Sequence, residues 1–147
     1  MDRREKAQKY FKQGFNCAQS VVMAYHDLTG LTEEESARLA SSFGGGLGRM
    51  REVCGAVSGM AIVAGILYGY EDPKVPGASA AHYARVQELA GAFRERNGSI
   101  LCRELLGGAA TTSPTPDART AEYYKKRPCV DLVGDAAEIL DAFIARQ

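Results

Sequence analysis

The chain has 147 residues, which is the size of one ordinary domain, so a second domain is not expected. Its 18 lysine and arginine residues balance 18 aspartate and glutamate residues, so net charge gives no support for nucleic-acid binding. The N-terminal segment MDRREKAQKYFKQG is charged and lacks the apolar stretch of a secretory signal or membrane anchor, which predicts a cytoplasmic protein.

Amphipathic spacing and capping residues predict helices along most of the chain. Asn16 with Gln19, and Thr32 with Glu35, have the spacing of capping boxes, in which two side chains satisfy two backbone N–H groups at a helix start. In chain order, the predicted helices cover residues 2–13, 17–30, 33–43, 53–69, 78–97, 100–107, 117–126 and 128–147.

The uncharged run from Val53 to Gly69 is predicted to be the central buried helix. Eight of its residues are glycine, alanine or serine, at spacings that recur on a helix face, which lets neighbouring backbones approach closely. The run is shorter than the roughly 18 to 20 apolar residues that a membrane span needs, so membrane insertion is not expected.

The predicted fold class is all-α. Nowhere do β-branched and aromatic residues alternate with polar ones, as they do in strands. We therefore expect a compact single domain, residues 1–147, with about seven or eight helices around the central helix. Residues 107–116, GGAATTSPTP, have no periodicity and are predicted to form a mobile surface loop.

Each of the four cysteines lies in or near the first turn of a predicted helix. The N–H groups and positive dipole at a helix start favour the thiolate, which is both the nucleophile of disulfide exchange and the form that binds metals. The separations of 37, 48 and 27 residues match no local metal motif and no C-x-x-C pair. Any redox pair or metal site must therefore assemble between helices. The four residues are Cys17, Cys54, Cys102 and Cys129.

A glycine-rich segment with two arginines precedes Cys54. It lacks the spacing of a dinucleotide fingerprint and the Gly-Lys-Ser/Thr of a P-loop. Its backbone N–H groups and cations could bind an anion or stabilise the Cys54 thiolate, and the alternative is a tight turn that lets helices pack closely. The residues proposed for anion binding or thiolate stabilisation are Gly44, Gly45, Gly46, Arg49 and Arg51.

The cysteine pattern resembles the C_GCAxxG_C_C family of redox-active proteins. The resemblance rests on NCAQSV at 16–21, GGGLGRMREVCGAVSG at 44–59, Cys102 in SILCREL and Cys129 in RPCVDLV. The family label writes glycine before cysteine, whereas this chain reads CGAVSG. The resemblance implies a helical fold and a thiol redox role for the four cysteines, and it implies no known substrate.

The leading hypothesis is a cytoplasmic thiol redox protein with an oxidoreductase-like activity and no required cofactor. Cys54 is the expected reactive thiolate, paired across the helical core with Cys17, Cys102 or Cys129. In the alternative, the same four cysteines bind zinc or an iron–sulfur cluster. A third interpretation is a non-catalytic helical module with buried cysteines. The expected partner is an unidentified redox protein or small molecule, and a homodimer stays open.

Overall fold

The computed structural model describes the backbone of all 147 residues and every side chain except that of Ala109. Within the described backbone there are nine α-helices, two 3-10 segments (Ser41–Phe43 and Gly107–Ala109) and no strand, which confirms the all-α fold class. The helices are α1 (Arg3–Lys12), α2 (Cys17–Met23), α3 (His26–Thr29), α4 (Glu33–Ala40), α5 (Gly55–Tyr68), α6 (Ala78–Asn97), α7 (Cys102–Leu106), α8 (Ala121–Lys126) and α9 (Cys129–Ala145).

Both predicted capping boxes are present. The Asn16 side chain accepts from the Gln19 N–H at 2.8 Å, and the Gln19 side chain accepts from the Asn16 N–H at 3.0 Å. Thr32 and Glu35 make the same reciprocal pair at 3.0 and 2.9 Å. These local bonds start α2 and α4 where the sequence predicts.

The helix predicted to run from Cys17 to Gly30 is interrupted at Tyr25, which raises the helix count above the expected seven or eight. The fully buried Tyr25 donates from its hydroxyl to the Ala137 carbonyl of α9 at 2.8 Å. The Arg3 guanidinium lies 4.5 Å from the centre of the Tyr25 ring. These contacts with α1 and α9 hold Tyr25 at φ −117° and ψ 12°, outside the helical region.

The central helix α5 begins at Gly55 rather than at the predicted Val53. Val53 instead forms an isolated antiparallel bridge with Leu101. The sequence contains no strand signal here, because one bridge is too short to have a period. The bridge decides where the loop before α5 ends.

The helix α8 begins at Ala121, four residues after the predicted Asp117. The chain after Gly107–Ala109 has no helix until that point. Thr120 caps α8 by accepting a backbone N–H at 3.2 Å, and the Asp117 carboxylate accepts from Arg127 instead of capping the helix. The predicted loop thus lacks regular structure beyond Ala109, and its mobility stays a prediction.

The helix α5 packs against α2, α6 and α9, and its first half is the more deeply buried. Gly65 and Ile66, in its second half, are exposed, so close packing on most sides applies to the first half only. A Cβ atom at Gly59 would lie 2.8 Å from Val21 Cβ and 3.1 Å from the Ala18 carbonyl oxygen. Only glycine lets α5 come this close to α2. Among the described helices, none has the length and apolarity needed to cross a membrane.

Gly59 and Gly65, both in α5, provide a matched test of this close approach. We expect Gly59→Ala to lower the free energy of unfolding by about 1–3 kcal/mol, because the added methyl overlaps Val21. We expect Gly65→Ala to raise it by up to about 1 kcal/mol, because nothing lies within 4 Å of the new atom and alanine favours the helix. Urea unfolding of both variants measures the difference, and equal effects would contradict this packing.

Candidate functional site

The segment before α5 is a compact loop that its own backbone holds together. The six N–H groups from Leu47 to Glu52 all donate to carbonyls of residues 42–47. Three non-glycine residues of the loop have a positive φ, which such residues rarely adopt, so these hydrogen bonds hold a strained backbone in place. Positive φ values between 54° and 71° occur at Gly45, Gly46, Leu47, Gly48, Arg49 and Arg51.

Two backbone hydrogen bonds join the end of this loop to the start of α7. The Cys54 N–H donates to the Ile100 carbonyl, and the Cys102 N–H donates to the Glu52 carbonyl, both at 2.7 Å. A Cβ atom at Gly46 would lie only 2.7 Å from Cys102 Cβ, so the loop also presses against that cysteine. These contacts hold Cys54 and Cys102 on one side of a shared cavity.

All four cysteines line this cavity, although at least 27 residues separate any two of them. The volume open to the centre of a water molecule is about 70 Å³, which is room for several waters or one compact ligand. Cys17, Cys102 and Cys129 are the first residues of α2, α7 and α9, and Cys54 is the N-cap residue of α5. The prediction that the cysteines mark helix starts is therefore confirmed.

Arg51 is the most buried of the three arginines that line the cavity, with only 5% of its surface exposed. Its Nε donates to the Thr111 carbonyl at 2.7 Å, and its Nη1 lies 3.6 Å from Cys102 Sγ. No acceptor in the described part of the chain bonds its buried Nη2. The guanidinium is thus fixed at the cavity with one donor unpaired.

The other two arginines come from the segment before α8 and from its end. Arg119 donates to the carbonyls of Phe11 at 2.6 Å and Phe15 at 2.8 Å, and it lies 4.1 Å from the centre of the Phe11 ring. Arg127 pairs with Asp117 and lies 4.8 Å from the centre of the Tyr123 ring. Among the described residues that line the cavity, none is an aspartate or glutamate, so its charge is positive.

Cys17 and Cys129 form a coupled thiol pair in this positive environment. A hydrogen bond from the Cys17 thiol lowers the pKa of Cys129, and Arg127, Arg119 and Arg51 lower it further against the opposing effect of burial. The same hydrogen bond and burial raise the pKa of Cys17. Between the two, Cys129 therefore loses its proton first, and Cys17 keeps its own.

Cys54, the thiolate expected from the sequence, has the opposite electrostatics. Burial raises its pKa to about 12, although N–H groups of Ala56 and Val57 at the start of α5 favour the charged form. Only 3% of the residue is exposed. Desolvation outweighs the helix start here, so the geometry favours a protonated Cys54 at neutral pH.

The five residues expected to bind an anion or stabilise Cys54 are divided between two places. Gly45, Gly46 and Arg51 line the cysteine cavity. Gly44 packs on Asn16. Arg49 does not line the cavity and instead donates to Thr111 Oγ1, the Thr115 carbonyl and the Asp117 carboxylate. The cation expected beside a cysteine is therefore Arg51, and its sulfur partner is Cys102 rather than Cys54.

The metal alternative lacks a matching set of ligands. Among the described side chains, no group of three or more His, Cys, Asp or Glu residues is arranged to hold a metal ion. The described cysteines are also free rather than joined in disulfides.

Sequence reasoning missed Arg119, Arg127 and Tyr123 as cavity residues. The Arg-Pro dipeptide directly before Cys129 offered a local sign of a cation beside that sulfur. No local sign marked Arg119, because its contacts with Phe11 and Phe15 span more than 100 residues.

The pKa order of the cysteines can be tested with two substitutions at Cys17. Iodoacetamide should alkylate Cys129 at a lower pH than Cys54, because only the thiolate reacts. Cys17→Ala removes the hydrogen bond and should raise the pKa of Cys129, whereas Cys17→Ser keeps a donor and should change it less. Peptide mass mapping across a pH series gives both profiles. Alkylation of Cys54 before Cys129, or no change in Cys17→Ala, would contradict this order.

Comparison with known proteins identifies the family. No curated protein and no solved structure matches the chain. The family described as "Putative redox-active protein (C_GCAxxG_C_C)" matches residues 15–143, which include all four cysteines and the loop before α5. The match covers most of the chain, so the protein belongs to the C_GCAxxG_C_C family, as the resemblance of its motifs predicted.

Proposed function

We propose that the protein is a thiol–disulfide redox protein in which Cys129 is the attacking thiolate and Cys17 is the resolving thiol. The observation that carries this proposal is that Cys17 and Cys129 line one cavity with three arginines, where the pKa of Cys129 is lowered. The family's description as redox-active supports the reaction class. The sequence suggested Cys54 as the reactive thiolate. We assign that role to Cys129 instead, because burial raises the pKa of Cys54 to about 12.

The proposed reaction is disulfide exchange with a reducible disulfide R–S–S–R′. The Cys129 thiolate attacks one sulfur, forming a mixed disulfide with R and releasing R′ as a thiolate, which takes up a proton. Cys17 then loses its proton and attacks Cys129 Sγ, and R leaves as a thiolate that is protonated in turn. Two protein thiols are oxidised to one disulfide, and the substrate is reduced to two thiols.

Cys17 and three arginines together give Cys129 its role in this scheme. Positive charge favours its thiolate before attack, and the proton that remains on Cys17 keeps the second thiol from competing. Cys54 and Cys102 line the same cavity and are not required for a single exchange.

The proposal predicts which cysteines a disulfide substrate oxidises. Treating the reduced protein with hydroxyethyl disulfide should remove the mass of two hydrogen atoms, and peptide mapping should find Cys17 linked to Cys129. In Cys17→Ser the mixed disulfide should persist on Cys129, because the resolving thiol is absent. Cys54→Ser is the matched control and should still form the Cys17–Cys129 disulfide.

Two results would contradict the proposal. A mixed disulfide on Cys54, or a disulfide that excludes Cys129, would assign the reaction to another sulfur. Stoichiometric zinc or iron in an anaerobic preparation with four reduced cysteines would favour the metal-centre alternative.

A further inference from the structure

The unpaired nitrogen of Arg51 indicates what the cysteine cavity binds. The side chain is 5% exposed and lines the cavity, and two of its three nitrogens are engaged by the Thr111 carbonyl and Cys102 Sγ. The third, Nη2, is buried without an acceptor among the described residues. A buried cationic donor without a partner is unfavourable, and a ligand oxygen would satisfy it.

The positive charge of the cavity indicates that the ligand is an anion. Arg119 and Arg127 add two further cations to the lining, whereas Asp117, which pairs with Arg127, lies outside it. Arg119 donates mainly to backbone carbonyls, which are neutral, so its charge is not cancelled. Three guanidinium groups around a small space favour an anion.

The size of the cavity limits how large the bound group can be. The space of about 70 Å³ that is open to the centre of a water molecule suits a carboxylate or a small inorganic oxyanion.

We propose that the cavity contains a subsite for a compact oxygen anion, bound by the Arg51 guanidinium, so that the disulfide substrates of the thiol pair carry a carboxylate. This inference deepens the proposed function and rests on it for the reaction, but the anion subsite itself can be tested separately.

Two alkylating reagents of nearly equal size separate anion binding from thiol reactivity. Iodoacetate carries a carboxylate and iodoacetamide does not. Both react with the thiolate, so the iodoacetate rate divided by the iodoacetamide rate at Cys129 does not depend on the thiolate fraction at a given pH. We expect this ratio to be about tenfold higher in the folded protein than at Cys129 of the urea-unfolded chain, because one charged hydrogen bond is worth about that factor. Peptide mass mapping at constant ionic strength gives both rates.

The variants test whether Arg51 is the donor. Arg51→Lys keeps the charge but loses Nη2, and the ratio should fall most of the way to the unfolded value. Arg94→Lys is the matched control, because Arg94 is exposed and lies outside the cavity lining. Its ratio should equal that of the wild type. A wild-type ratio no higher than in the unfolded chain would overturn the subsite, and that measurement needs no variant.

If Cys129 reacts with neither reagent, that result counts against the proposed function but not against the anion subsite. A second measurement then tests the subsite. Sodium sulfate and sodium acetate should each raise the Tm of the wild type more than that of Arg51→Lys, relative to sodium chloride at equal ionic strength. A response to sulfate alone would indicate a free inorganic oxyanion, and a response to acetate would indicate a carboxylate. Equal shifts in both proteins would reflect the general effect of salt and would overturn the subsite.

Discussion

The cysteine cavity depends on the close approach of α5 to α2. The first turn of α5 lies so near to α2 that a Cβ atom at Gly55 would be 3.1 Å from the Ala18 nitrogen and 3.2 Å from Cys17 Cβ. The starts of the two helices therefore lie side by side, and each start carries a cysteine. A bulkier helix would separate Cys17 from Cys54 and open the cavity between them.

Helix ends and irregular segments supply the carbonyls that accept hydrogen bonds from Arg51 and Arg119. The Thr111 carbonyl accepts from Arg51, and the carbonyls of Phe11 and Phe15 at the end of α1 accept from Arg119. Helical carbonyls are mostly committed to their own helix, so free acceptors come from helix ends and loops. The same segments thus position positive charge beside the sulfurs and allow that charge to be buried.

The sequence determined the helices and most of their starts, because the signals are local. A capping box such as Asn16 with Gln19 acts within four residues, and a stripe of apolar residues acts within one helix. For the same reason the four cysteines could be placed at helix starts, and the family could be identified from its motifs. The break at Tyr25 and the bridge at Val53 were not predictable in this way, since both depend on partners far along the chain.

Only the tertiary structure decided how the four sulfurs differ. Cys54 follows a glycine loop with two arginines, which favours a thiolate when only neighbours in sequence are counted, yet its burial raises the pKa to about 12. Cys129 has a lowered pKa because Cys17 and the arginines surround it, and Cys17 and Arg51 come from distant segments of the chain. Desolvation and Coulomb interactions depend on distance in space, and sequence spacing does not report that distance. The sequence therefore identified the four cysteines as the candidate reactive residues, and only the packing of α2, α5, α7 and α9 decided the electrostatic environment of each.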